Sequence, residues 1–138
     1  MNQLVHILFV DDEPRVLQGL RHSLRSQRKQ WEMSFANGGA EAQLMLQGTR
    51  LDVVVSDMRM PRIDGATVLT LASALQPEAV RVILSGQLDE ASVERAMSIA
   101  HFFLSKPCGT ERLIATIVRG LEQRSLLGAA QLPRALPG

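Results

Sequence analysis

Four short apolar runs, LVHILFV (4–10), DVVVS (52–56), VRVIL (80–84) and HFFL (101–104), are β-branched or aromatic along most of their length. Such runs suit strands covered on both faces, the condition of a parallel sheet. Between them apolar residues recur at helical steps: Val16, Leu17, Leu20 and Leu24; Val68, Leu69, Ala72 and Leu75; Val93, Ala96, Met97 and Ala100; Ile114, Ile117, Val118 and Leu121. Ala42, Met45 and Leu46 do so more weakly, and WEMSF (31–35) alternates as a sheet edge would, with Trp31 as a packing residue. Pro14, Asp64, Asp89 and Thr110 stand where helices must begin. Strand and helix thus alternate, and right-handed crossovers place helices on both faces of the sheet. The spacing predicts an α/β, flavodoxin-like, doubly wound (βα)5 sandwich with a five-stranded parallel sheet in the order 2-1-3-4-5.

In such a sheet the carboxyl ends of all strands open on one crevice, at the point where strand order reverses. Asp11 and Asp12 end the first run, Asp57 follows the third, and Ser85 and Lys106 follow the last two. Two like charges at ~4 Å repel by ~1 kcal/mol in water and ~4 kcal/mol at an effective dielectric near 20, so three carboxylates together call for a cation. A hard divalent ion such as Mg²⁺ fits, because it binds through one or two carboxylates and takes further ligands from phosphate and carbonyl oxygens. Asp57 can then attack phosphorus, with Lys106 as a point charge and Ser85 as a hydroxyl donor to the transferred group. Each residue alone has an ordinary reading: helix-entrance acids, a loop aspartate before Met58-Arg59-Met60-Pro61, an exposed lysine before a proline. Their coincidence at successive strand ends is what points to a phosphorylatable aspartate.

The chain resembles the receiver domain of two-component response regulators through FVDDEP (9–14), SDMRMPRIDG (56–65), LSG (84–86) and FLSKP (103–107). The likeness spans residues 4 to about 124, so the division is residues 1–124 as receiver and 125–138 as helix end or linker toward an output domain. The resemblance implies that Asp57 is the phosphoacceptor, that Asp12 and Asp57 bind Mg²⁺, and that Asp11 holds the ion directly or through water. It implies a backbone-carbonyl ligand from Arg59, a switch hydroxyl at Ser85, a phosphate-binding Lys106 and a switch aromatic at Phe103. The implied donor is a sensor histidine kinase or phosphotransfer protein, and the chain catalyses only its own phosphorylation and dephosphorylation. Moving a two-state element from mostly off to mostly on needs ~5.5 kcal/mol, and charge-assisted hydrogen bonds contribute ~1.5–3 kcal/mol each, so Ser85 and Lys106 could supply most of it. Ser85 is expected to move inward, carrying the Gly86-Gln87 loop and opening space for Phe103; in the resting state Phe103 reads equally as core packing. Arg59 and Gln87 depart from the best-known members, and slow hydrolysis is expected, with the Arg59 side chain pairing with a site carboxylate, screening the acyl phosphate, or remaining solvated.

A formal net charge of +1 gives no electrostatic reason for direct nucleic-acid binding. Arg21, Arg25, Arg28 and Lys29 read as a solvated helix face, with a kinase-docking surface as the functional alternative. No apolar run approaches the ~18 residues of a spanning helix, so a cytoplasmic protein without membrane contact is expected. Lone Cys108 cannot form an internal disulfide. The MRMP, AHFFLSKPC and LPRALP segments resemble those of response regulators that continue into an HDOD domain, or less closely an HD-GYP domain. Leu126 and Leu127 are expected to be exposed as a homodimer or interdomain contact, whereas Leu113 and Ile117 read as packing. Other classes have less support: a haloacid-dehalogenase-type phosphatase needs an acid where Arg59 stands, and a nucleotide binder needs anion donors where FVDDEP offers carboxylates. A phosphorylation-independent interaction module remains as an alternative.

Overall fold

Side chains alternate in direction along each strand and so build two cores, one on either face of a single sheet. The computed structural model describes residues 4–86 and 89–127. Its strands are β1 (Val5–Asp11), β2 (Trp31–Asn37), β3 (Val53–Asp57), β4 (Val80–Ser85) and β5 (Phe102–Ser105), all parallel in the order β2-β1-β3-β4-β5. The helices are α1 (Pro14–Ser23), α2 (Gly39–Gly48), α3 (Gly65–Leu75), α4 (Glu90–Ile99) and α5 (Thr110–Leu127). The predicted fold and strand order are those observed, with β2 at an edge and Trp31 buried in it.

Ile7, Phe9, Val53, Val55, Val82 and Leu104 face the layer of α1 and α5, where Leu17, Leu113 and Ile117 meet them. Leu8, Val10, Val54, Ile83 and Phe103 face α2, α3 and α4, against Leu46, Val68, Leu69 and Ala96. This two-residue alternation puts consecutive strand residues in opposite layers and leaves the strand-end side chains at the crevice. Helix starts follow the sequence closely. Pro14 opens α1, Thr110 opens α5, and the Asp64 and Asp89 carboxylates accept hydrogen bonds from Thr67 N at 2.9 Å and Ser92 N at 2.7 Å.

The last helix turns its face differently from the expected stripe. Leu113, Ile117 and Gly120 are buried, whereas Val118 is 40% exposed. The reason is Gly120: a Cβ there would lie 2.7 Å from Val80 Cγ1 and 3.0 Å from the Phe102 ring, so α5 approaches the sheet through backbone. Leu75, at the end of α3, is likewise 46% exposed rather than buried. Leu126 is exposed as expected; the Leu127 side chain, Gln87 and the LPRALP segment lie outside the described residues. Arg21 is not simply solvated, because its guanidinium sits 4.5 Å from the Phe35 ring centroid.

Candidate functional site

Asp11 ends β1, Asp57 ends β3 and Lys106 follows β5, so three non-adjacent stretches of chain deliver them to one edge of the sheet. One ligand atom from each of Asp11, Asp12 and Asp57 lies within 4.8 Å of the others, the only such group among the described residues. Lys106 Nζ stands 3.2 Å from Asp11 Oδ2 and 3.4 Å from Asp57 Oδ1. Asp11, Asp12, Asp57 and Lys106, remote from one another in sequence save the first two, thus come together at one point.

The electrostatics follow from the crowding. Burial pushes the Asp57 carboxyl above the usual carboxylate value and the charges of Asp11 and Asp12 push it further, against the pull of Lys106. Burial alone would lower the Lys106 ammonium, but the Asp57 and Asp11 charges outweigh it and hold it above its ordinary value. One ammonium therefore faces three carboxylates, and the excess negative charge suits a hard divalent cation with oxygen ligands.

Neighbouring backbone fixes Asp57. Met58 N donates to Leu84 O at 3.1 Å, Ser56 Oγ donates to Asp57 O at 2.9 Å, and Gly65 N donates to Met58 O at 2.8 Å. A Cβ at Gly65 would collide with the Asp57 carbonyl oxygen. Gly65 is thus a site-shaping residue that hydrophobic patterning misses; the Asp-Gly pair marked only a helix start. Arg62, in the same loop, holds φ at 67°, a left-handed conformation unusual for a non-glycine residue.

Ser85 and Phe103 occupy the opposite layer of the sheet from the Asp57 parity, on the side of α3 and α4. Ser85 Oγ is buried and has no hydrogen-bond partner, while the residue's carbonyl accepts from Lys106 N at 2.6 Å. Phe103 pairs in register with Ile83 and is buried, as its packing role requires. Arg59 is exposed and forms no ion pair with Asp11, Asp12 or Asp57; the Asp89 carboxyl at the start of α4 is held below its usual value by its Ser92 hydrogen bonds, with Arg59 adding a smaller pull. The alternative of a direct Arg59 bond to a site carboxylate is therefore not the one realised. Cys108 lies in a loop beside Lys106, half-buried and lining an apolar recess with Val16, Leu20 and Leu113. No helix of the described residues is long and apolar enough to cross a membrane.

Comparison with known proteins agrees with the geometry. The transcriptional regulatory protein GlrR of Escherichia coli (strain K12) is 32% identical over 120 residues, covering 86% of this chain and 26% of that protein. PrrA of Mycobacterium leprae, also a transcriptional regulatory protein, is 33% identical over 119 residues, covering 86% of this chain and 50% of that protein. This chain thus spans a quarter to a half of these relatives. The receiver domain of an HD domain-containing protein from Pseudomonas fluorescens Pf-5 superposes with a TM-score of 0.83 at 26% identity, covering 90% of this chain and 99% of that one. The family description that matches residues 7–118 is the response regulator receiver domain, and with the sheet order and acidic crevice already in place, this chain belongs to that family.

Proposed function

We propose that residues 1–124 act as the phosphoacceptor module of a two-component pathway, with Asp57 as nucleophile. The observation that carries this reading is the buried, unpartnered Ser85 Oγ, next in sequence to the register partner of Asp57. A buried hydroxyl without a partner costs roughly 1–3 kcal/mol, and a phosphoryl oxygen on Asp57 would give it one.

An Asp57 carboxylate oxygen attacks the phosphorus of a phosphohistidine on a sensor kinase or phosphotransfer protein. The O–P bond forms as the P–N bond breaks, and the departing imidazole nitrogen keeps that electron pair and takes a proton from solvent. Lys106 turns from its carboxylate partners to the new phosphoryl oxygens. Mg²⁺, held by the Asp12 and Asp57 carboxylates, the Arg59 carbonyl and Asp11 directly or through water, would neutralise charge on the transferred group. Ser85 then donates its hydroxyl to a phosphoryl oxygen, drawing the Gly86 loop inward. Gly86, without a side chain, gives the backbone there the freedom that such a movement needs. Phe103 is already 8% exposed, so its response is a repacking within the α4 layer rather than entry from solvent.

For the output we propose a domain of the HDOD kind reached through residues 125–138, with HD-GYP second. Its support is the likeness of the MRMP, AHFFLSKPC and LPRALP segments; the HD domain-containing Pseudomonas relative does not distinguish the two outputs. Exposed Leu126, 84% accessible, is the described residue best suited to an interdomain or homodimer contact.

The test is incubation with Mg²⁺ and acetyl phosphate followed by intact mass. A phosphoryl adduct on the parent, absent from Asp57→Asn, is expected. No adduct on the parent at any Mg²⁺ concentration would refute the reading.

A further inference from the structure

Helix α4 is thinly attached to the core. Of its ten residues only Ala96 is fully buried, against five buried residues in α3. Its position must therefore depend more on polar contacts than that of its neighbours. One such contact stands out: Arg95 Nη1 lies 2.6 Å from Asp64 Oδ2, and Nη2 lies 3.3 Å from Oδ1, a bidentate pair between α4 and the start of α3.

Asp64 is a rigid anchor. Its Oδ1 also accepts from Thr67 N at 2.9 Å and Thr67 Oγ1 at 2.8 Å, which orients the carboxylate on the first turn of α3. The next residue, Gly65, is pressed against the Asp57 carbonyl at a distance that leaves no room for a Cβ. Arg95 is thereby fastened to backbone continuous with the phosphoacceptor. The loop after Asp57 and helix α4 flank a shallow groove of about 390 Å³ lined by Met58, Met60, Pro61 and Ser92.

We propose that Arg95 is a positioning residue whose bond to Asp64 tethers α4 in its resting place, so that the tether opposes the rearrangement that phosphorylation of Asp57 drives. The proposal rests on the phosphoacceptor reading, because the tether matters only if Ser85 and the loop before α4 move. If the bond exists in the resting arrangement and is weakened in the switched one, removing it lowers the cost of switching. By linkage, the same change strengthens binding of anything that favours the switched state.

The experiment uses the full 138-residue chain, its Arg95→Ala and Asp64→Asn variants, and Arg95→Lys. Asparagine caps a helix about as well as aspartate, so Asp64→Asn removes the charge while keeping the α3 cap. Amide exchange is followed across α4 without any phosphoryl group, and beryllofluoride binding is titrated in Mg²⁺. Arg95→Ala and Asp64→Asn are expected to speed exchange in α4 but not in α3, and to tighten beryllofluoride binding roughly two- to fivefold, the range of a partly exposed bidentate pair. Arg95→Lys should fall between. A purely structural role would weaken or leave unchanged the beryllofluoride affinity, so gain of affinity is the discriminating sign. Unchanged α4 exchange overturns the tether, and faster exchange with unchanged or weaker binding overturns its opposition to the switch. The exchange arm decides the tether even if Asp57 takes no beryllofluoride; failure of the parent to bind it, by contrast, counts against the phosphoacceptor reading.

Discussion

Lys106 is the residue on which the unphosphorylated site depends, since it alone sets a positive charge against Asp11 and Asp57 at 3.2 and 3.4 Å. Its raised pKa means that its contribution to stability is complete below the ordinary lysine value and is lost as pH rises through the folded value. Lys106→Ala should cost the metal-free protein about 1 kcal/mol at pH 7, a figure discounted for partial exposure, and Mg²⁺ should restore most of it. Urea denaturation with and without the ion checks this. Asp57 carries the opposite sign: its pKa is raised from 3.8, so the native state favours its protonated form and loses stability as pH climbs through that titration. The stability advantage of Asp57→Asn over the parent should therefore be absent well below pH 3.8 and appear above it. Gly65→Ala is expected to cost about 3 kcal/mol and to weaken Mg²⁺ binding as well, because its Cβ would displace the Asp57 carbonyl. Thermal melts and a Mg²⁺ titration read the two effects. Arg59 is exposed at the mouth, and Arg59→Ala should shorten the half-life of the acyl phosphate roughly threefold, about 0.6 kcal/mol of barrier. An unchanged half-life in a hydrolysis time course would show that the Arg59 side chain does not shield the phosphoryl group.

At the level of elements, what could be read from the chain was decided by whether side chains or their absence did the packing. β1, β3, β4 and β5 were legible because each is largely apolar on both faces, β2 because it alternates as an edge strand does, and α1, α3 and α4 because Pro14, Asp64 and Asp89 mark their starts. The α5 stripe was misread at Val118 because apolar periodicity gives no weight to a glycine, yet Gly120 is the point of closest approach to Val80 and Phe102. The Asp57 site was legible for a related reason: polar residues at the ends of apolar runs must meet wherever the sheet's topology gathers them. What periodicity could not show were pairings between helices, such as Asp64 with Arg95, which depend on side-chain reach across separate layers. The same limit hid the pair that fastens α5 at the other end of the sheet. Arg124 Nη2 lies 3.1 Å from the Asp52 carboxylate, whose other oxygen accepts from His6 N at 2.8 Å, and Arg124 Nη1 donates to the Asp52 carbonyl at 3.3 Å. With Asp52 buried, Arg124→Ala should cost about 2 kcal/mol in urea denaturation, since it leaves the carboxylate only the exposed Arg50, 3.9 Å away, as countercharge.

Across the whole molecule, the two ends of the sheet do opposed things. At the amino ends of the strands, Asp52 is matched by Arg124, by Arg50 and by the His6 N–H, whereas at the carboxyl ends three carboxylates share one ammonium. Stability is therefore held at one end and withheld at the other, where a ligand can return it. Any group that binds the native state alone stabilises it by an amount that grows with the logarithm of its concentration, about 1.4 kcal/mol at tenfold excess over its dissociation constant. Mg²⁺ at that excess should raise the melting temperature of the parent by about 3–6 °C, given the usual entropy of unfolding for a domain of this size. Asp57→Asn should begin higher than the parent in the absence of the ion, because a carboxylate pushed toward protonation has been removed, and should gain little from Mg²⁺. Melting curves of the two proteins over a Mg²⁺ series should consequently converge or cross. Parallel curves would mean that the acidic crevice does not hold the ion through Asp57, and that the repulsion stored there is balanced by some other charge.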